Sequence, residues 1–336
     1  MPPDAAHAPV AAPGGPWRAS IVIEWENLRW SAADRCWAML AELARQVEAC
    51  PAPAAGLAQD IEVIILHEAT MASTESVERA ARESMGRVPA RALLRVLPTE
   101  GCDYYAQKNE GARAARGDLV VFLDSDVIPE AGWLPTLLAA FDDPRVEVAC
   151  GACWLATDGV VSKAMALSWF FPLRDTRTSL EASSSLFANN VAFRRATALL
   201  YPFPPLPGSS RGSCRLLARQ LVRDGRGLFL HRGARVQHPA PHGWRHLARR
   251  ALAHGRDDLL FARATEQGGA GASVGRTARL HRRALARILK HRRRVALRAL
   301  AVPAALVVAL AYYTLHGTGD LLTRLAPGWA DRHLRL

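Results

Sequence analysis

The sequence predicts an α/β protein on a doubly wound, mainly parallel sheet, followed by a basic helical region and a membrane helix. Three observations carry that reading. Short apolar runs alternate with helical stretches from Ile21 to Leu123, the signature of strands joined by crossover helices. The run Leu119-Val120-Val121-Phe122-Leu123 has no polar position, which suits a strand covered on both faces. After Arg245 the chain turns strongly basic and then apolar from Ala296 to Leu315, about twenty residues, enough to cross a bilayer.

The elements follow in order. Residues 1–18, rich in Ala, Pro and Gly and without an apolar run, read as a disordered leader and not as a secretory signal. Ile21-Val22-Ile23 is a short strand. Ser31-Ala32-Ala33-Asp34 resembles a capping box, opening a helix with Trp37, Leu40, Leu43, Ala44 and Val47 on one face and Pro51-Ala52-Pro53 at its end. A strand at Val63-Ile64-Ile65-Leu66, a helical stretch from Val77 to Met85, a strand from Leu93 to Leu97 and a helix carrying Lys108 and Asn109 lead to the buried run. No segment repeats.

Asp124-Ser125-Asp126 follows that run directly, so its carboxylates emerge at the carboxyl edge of the sheet, where open α/β sheets bind ligands. Two carboxylates one residue apart can share a hard divalent cation, manganese or magnesium, and leave its other positions for phosphate oxygens and water. That arrangement suits a nucleotide diphosphate. Asp142-Asp143 before Pro144, by contrast, reads as a solvated turn.

From about Ser20 to about His238 the chain resembles the family 2 glycosyltransferases: Asp124-Ser125-Asp126 stands as the family's Asp-x-Asp, and Lys108-Asn109-Glu110-Gly111 as its Arg/Lys-Asn-x-Gly helix element. The resemblance implies a GT-A-like domain over residues 19–245 that binds a nucleotide-diphosphate sugar. Asp124 would contact the ribose or the metal, Asp126 would bind the metal, and Lys108, with Asn109 beside it, would sit near the diphosphate or ribose. His238, in the late strand Ala234 to Pro239, would complete the metal shell. The nucleotide loops depart from the family: Glu24-Trp25-Glu26-Asn27 replaces Pro-Thr-Tyr-Asn, and His67-Glu68 replaces Asp-Asp. By position Glu24, Glu26 and Glu68 face the nucleotide. Glu68 keeps a carboxylate suited to the imide N–H of uracil, although the departures leave another base open. In the segment Ser183 to Arg195 the resemblance puts Asn189, Asn190 and Arg194 on the acceptor side.

One departure concerns the chemistry itself. Where the family usually has Glu-Asp-x-x-Leu-x-x-Arg, this chain has Ser213, Cys214, Leu217 and Gln220. Neither Ser213 nor Cys214 is a base at neutral pH without a partner that lowers its pKa, and the neighbours Arg211 and Arg215 are the available cations. Three readings remain. The base comes from elsewhere, with Glu181, Asp175 and His231 as candidates by proximity in sequence. Or the acceptor is already anionic, as a polyprenyl phosphate is. Or the protein is a non-catalytic sugar-nucleotide-binding scaffold of a membrane polysaccharide assembly complex. The intact Asp124 and Asp126 favour the first two, hence a metal-assisted, inverting glycosyltransferase acting on a carbohydrate or lipid-linked acceptor of the cell envelope.

With 336 residues and a net charge of +12, the basic excess sits mainly beyond Arg245. Residues 246–294 read as a basic juxtamembrane region, 295–315 as a transmembrane or membrane-associated helix that Pro303 would kink, and 316–336 as a tail. The positive-inside rule leaves the large domain on the cytoplasmic side of the cell membrane. The basic stretch lacks interleaved aromatics, which argues against a nucleic-acid partner. The six cysteines, one Cys-x-x-Cys among them, read as reduced, mostly core thiols.

Overall fold

The structure is a computed structural model that describes residues 17–25, 33–51, 60–206, 209, 211–241, 243–265 and 270–334. The leader up to residue 16, the nucleotide-loop residues Glu26 and Asn27, the capping residues Ser31 and Ala32, and Ala52-Pro53 lie outside the described residues.

The first half alternates as expected: β1 (Ala19–Glu24), α1 (Ala33–Ala49), β2 (Ile61–Glu68), α2 (Thr74–Met85), β3 (Ala92–Thr99), α3 (Tyr104–Ala114) and β4 (Leu119–Asp124). The strands β3, β2, β1 and β4 lie side by side and parallel, so their carboxyl ends share one edge. All six residues of β4 are buried, which explains its uninterrupted apolar run. Tight approach of α3 to β1 requires Gly111, because a Cβ there would stand 2.2 Å from a methyl of Val22.

Beyond β4 the elements are β5 (Ile128–Pro129), α4 (Trp133–Ala139), β6 (Val148–Leu155), α5 (Val160–Ser168), β7 (Leu180–Ala182), β8 (Asn190–Arg194), α6 (Arg195–Leu200), α7 (Ser213–Arg223) and β9 (Leu228–His238). Here the sheet becomes mixed. Strand β8 inserts antiparallel between β4 and β6, β9 runs parallel to β6, and β5 and β7 pair antiparallel with β9.

Four helices complete the chain: α8 (Gly243–Ala264), α9 (Ala270–His291), α10 (Val302–Leu325) and α11 (Pro327–His333). They are not appended to a finished domain. The boundary drawn at residue 245 falls inside α8, and Leu247, Ala251, Ala284, Ile288, Ala305 and Tyr312 join the core that covers one face of the sheet. Helices α8 and α10 meet at glycines: a Cβ on Gly255 would lie 1.8 Å from the His316 carbonyl oxygen, and one on Gly319 would lie 2.0 Å from that of Leu252.

The apolar C-terminal helix starts later and runs longer than residues 295–315. Ala299–Leu325, 27 residues, is long and apolar enough to cross a bilayer, and a third of its apolar window is buried against the protein. Pro303 occupies the first turn, where its missing N–H has no helical partner to lose, so it starts the helix and does not kink it. The inner face of α10 carries Tyr312, Tyr313, His316 and Asp320, all buried, whereas Val307, Leu310, Leu321 and Leu325 face outward.

Candidate functional site

The site is built at the carboxyl end of β4. Asp124 pairs in register with Glu24 of β1, and both are buried at the shared edge. Helix α3, whose N-terminus Asp103 caps by accepting from the N–H groups of Tyr105 and Ala106, places Tyr104 and Lys108 one turn apart. Both reach the same oxygen. The Tyr104 hydroxyl donates to Asp124 Oδ1 at 2.7 Å, and the Lys108 ammonium donates to it at 2.8 Å. Burial alone would raise the Asp124 pKa, but Lys108, these two hydrogen bonds and Arg211 outweigh it and hold the carboxyl below its usual value. Lys108 is itself fully buried, its ammonium 4.7 Å from the centre of the Tyr104 ring.

The loop after Asp124 is fixed from α1. Arg35 donates from Nε to the Asp126 carbonyl at 2.6 Å and from a terminal nitrogen to the Gln237 carbonyl at 2.7 Å, clamping the Asp126 loop to the end of β9. The last residue of β9 is His238. Burial pushes its pKa down to about 4 against the pull of the Asp126 carboxylate, so the ring is neutral. Its Nδ1 lies 2.7 Å from the Pro239 carbonyl, which can only accept, so the proton is on Nδ1 and Nε2 keeps its lone pair. Among the described residues no three His, Cys, Asp or Glu side chains converge as a ready-made metal cage.

Asp124 and His238 open into a cavity of about 560 Å³. One wall is the face of α8 that carries Arg250, His254, Asp257 and Asp258, at helical spacing. Trp169, Phe187 and Tyr312 of α10 line it as well. Trp169 holds this wall together: its indole stacks on His254 with ring centres 5.4 Å apart and donates to the Tyr312 hydroxyl at 2.9 Å. Arg211 lies over the Tyr104 ring and Arg250 over Trp169, at 5.3 and 5.5 Å. Burial first, then Arg211, pushes Arg250 down to about 10, which leaves it a cation at neutral pH.

Residues 34–198 match the family model described as Glycosyl transferase family 2, a segment that contains Asp124 and Asp126 and stops short of Ser213. A mannosyltransferase from Pyrobaculum calidifontis, solved with GDP-Man and Mn2+, superposes with a TM-score of 0.50 at 19% identity, over 96% of this chain and 87% of that one. The fold is GT-A. A pre-mycofactocin glycosyltransferase of Mycobacterium tuberculosis (strain CDC 1551 / Oshkosh) is 54% identical over 43 residues, 13% of this chain and 9% of that protein's length. The chain thus spans a small part of the curated relative it matches.

The GT-A frame gathers some of the sequence-predicted residues and disperses others. Glu24, Asp124, Asp126 and His238 come to one edge, and Glu68 ends β2 on the same side, bonded by the Thr70 hydroxyl at 3.4 Å. Lys108 is brought in, although as the partner of Asp124 and not as a group facing the cavity. Asn109 is not a ligand-facing residue: its amide donates to the Phe203 carbonyl and accepts from the Phe203 N–H, both at 2.9 Å, tying down that segment. Asn189 lines the cavity, but Asn190 is fully buried between the Trp133 indole and the Ala234 carbonyl, so it holds strands together. Arg194 is at the wrong end of the sheet. Because β8 runs antiparallel to β4, Arg194 pairs with Leu119, and its guanidinium binds the carbonyls of Val146 and Phe141.

The base candidates chosen by sequence proximity also fail on geometry. Glu181 is bridged by Arg232 and Ser179, which hold it down at about 2; Asp175 is bridged by Arg177; and the His231 ring accepts from the Gly233 N–H. None of the three lines the cavity. Cys214 does line it, but burial raises its pKa, so it is a thiol and not a base. The sequence reading missed Tyr104, Arg35, Trp169 and the α8 face. Tyr104 was detectable, four residues before Lys108 on a helix; Arg35 and the α8 arginines looked like ordinary surface charge.

Proposed function

We propose that this chain is a metal-assisted glycosyltransferase that moves a sugar from a nucleotide-diphosphate sugar to a lipid-linked or cell-envelope acceptor at the cytoplasmic face of the membrane. The observation that carries the reading is the charged, buried Asp124 at the sheet's ligand-binding edge, with the Asp126 loop and a neutral His238 beside it and a cavity in front. Its Oδ1 is taken by Tyr104 and Lys108, so Oδ2 is the oxygen for a ribose hydroxyl or a cation. Asp126 and the Nε2 lone pair of His238 are a fitting donor pair for manganese or magnesium, with diphosphate oxygens supplying further positions. When bound, the ion would neutralise charge on the departing diphosphate.

The rest of the site supports the same assignment. Arg211, half-buried, and Arg250, buried, place two cations beside the carboxylates, suited to phosphate oxygens, and Trp169 and Phe187 give an apolar wall on which a sugar ring or prenyl unit can lie. For the membrane, the outward stripe of α10 and the exposed arginines Arg279 and Arg282 of α9 suit an anionic lipid surface. We place α10 along that surface and not across it, because its inner face is bonded into the domain: the Tyr313 hydroxyl donates to the Ser168 carbonyl at 2.6 Å, and His316 pairs with Asp258 at 3.1 Å.

The test is calorimetric titration of the full chain with uridine, guanosine and thymidine diphosphate sugars, with and without manganese, followed by assay of released nucleotide. Manganese-dependent binding of at least one donor, with turnover, is the expected result. Binding of none would refute the proposal, and binding without any turnover would favour the scaffold reading that Ser213 and Cys214 first suggested.

A further inference from the structure

The family's base position on α7 holds Ser213 and a protonated Cys214, yet the cavity in front of it is not without carboxylates. Helix α8 passes the start of α7 closely enough for Arg215 to ion-pair with Asp258 at 2.7 Å and to lie 3.8 Å from the centre of the Phe261 ring. The adjacent residue, Asp257, interacts with Ser209 and Arg211, just before α7.

Two neighbouring carboxylates here occupy opposite environments. Asp258 is bound by Arg215 and His316, and despite burial these partners hold it at about 2. Asp257 is 5% exposed and lines the cavity together with Asp124. Its Oδ1 accepts from Arg256 at 3.0 Å, and Arg256 is itself anchored by Asp331 of α11 at 2.6 Å. Among the described residues its Oδ2 is buried without a hydrogen-bond partner. Burial pushes Asp257 up to about 6, aided by Asp258 and opposed by Ser209, Arg256 and Arg211. A buried carboxylate oxygen without a donor is costly, and natural structures leave such atoms mainly where a ligand or water completes them. Adjacent carboxyls driven apart in pKa are the usual mark of divided acid and base roles.

We propose that Asp257 is the general base of the transfer reaction, supplying from α8 the carboxylate that α7 lacks. In the step, the acceptor oxygen forms a bond to the anomeric carbon from the face opposite the nucleotide. The bond from that carbon to the diphosphate oxygen breaks, and its electron pair leaves with the diphosphate. The acceptor's proton passes to the Asp257 carboxylate. This assignment rests on the glycosyltransferase reading, and its test separates the two.

Hydrolysis of the bound nucleotide sugar is the assay of choice, because water as acceptor must lose a proton, whereas an anionic lipid acceptor would need no base and would mask the effect. The full chain, with manganese and the donor found by titration, is compared with Asp257→Asn, which keeps shape and removes the basic oxygen. The expected result is a fall in kcat on the order of a hundredfold or more with donor KM within about twofold. The wild-type rate should rise with pH through an inflection near 6, since only the ionised carboxylate accepts a proton, and that limb should vanish in the variant. Asp257→Glu should retain part of the rate and a shifted limb, which covers the case in which Asp257→Asn folds poorly. A variant that binds donor and hydrolyses it within threefold of wild type, or a wild-type profile flat across pH 5–7, overturns the base assignment while leaving the transferase intact. Failure of the wild type to bind any donor overturns the transferase reading instead.

Discussion

Replacing Lys108 by Met probes the electrostatic centre of the site. The side chains of Lys108 and Asp124 are 0% and 2% exposed, so the substitution leaves a carboxylate buried with its Tyr104 hydrogen bond but without a counter-charge. Removing one partner of a buried ion pair costs about 3–5 kcal/mol. At about 2.1 cal/mol/K per residue, the unfolding entropy of 336 residues is about 0.7 kcal/mol/K, so the melting temperature should fall by about 4–7 °C. The pH dependence gives a second check. In the wild type the Asp124 pKa is lowered on folding, so its contribution is present above the unfolded value and is lost only as pH falls through the lower folded one. Without Lys108, burial is the dominant influence, the folded pKa rises above the unfolded value, and the deficit should shrink on acidification from pH 7 towards 5. Melting curves of the single variant and of Lys108→Met with Asp124→Asn, recorded at both pH values, decide the matter. A fall under 1 °C, or a double variant no more stable than the single one, would refute the reasoning.

The remaining predictions are independent of that pair. Asp126→Ala should abolish manganese-dependent nucleotide binding while the melting temperature stays within about 2 °C, because the loop backbone is held by Arg35 through the Asp126 carbonyl; unchanged calorimetric affinity would remove Asp126 from the metal site. Gly255→Ala forces a methyl against the His316 carbonyl, an overpacking cost of about 1–3 kcal/mol that exceeds the helix-propensity gain, so thermal stability should drop, and an equal or higher melting temperature would show that α8 and α10 yield there. Val307→Glu, on the outward face of α10 where Val307 is 60% exposed, should weaken binding to anionic phosphatidylglycerol vesicles by tenfold or more with stability unchanged; equal co-sedimentation would show that this face does not meet lipid.

The parallel half of the sheet was legible because burial on both faces leaves a simple trace: β1, β2 and β4 each read as an apolar run, and their order puts Asp124 at the ligand edge. What failed was anything set by register or orientation. Asn189 and Asn190 are adjacent in sequence, but Asn189, just before β8, lines the cavity while Asn190, its first residue, is turned to the interior; Arg194 is lost to the acceptor side because β8 runs antiparallel, a reversal its residue types do not announce. The base candidates failed for a related reason. Glu181 and Asp175 are close to the motif in sequence, and the chain satisfies both with nearby arginines, Arg232 and Arg177, at the surface.

From Arg245 onward the composition suggests a basic juxtamembrane region leading to a membrane-associated helix; within it Arg250 and Arg256 are 7% and 1% exposed. Composition records charge but not what it faces. In α8 a stripe at spacing four, three and one (Arg250, His254, Asp257, Asp258) lines the cavity, and two of its members are bonded across helices: Asp258 by Arg215 and His316, and His254 by the Tyr312 hydroxyl at 2.6 Å. The C-terminal helices therefore supply part of the cavity wall, and the helix whose outward face is proposed to rest on lipid presents Tyr312 and Tyr313 to the cavity from its inward face. Attachment and chemistry then share one element: displacing α10 from the domain would open the cavity beside Trp169 and strip His316 from Asp258, the neighbour of the proposed base. A lipid-linked acceptor entering from the bilayer side would meet that wall first, which gives a physical reason for the carboxylate to reside on α8, packed directly against α10, when α7 has none to offer.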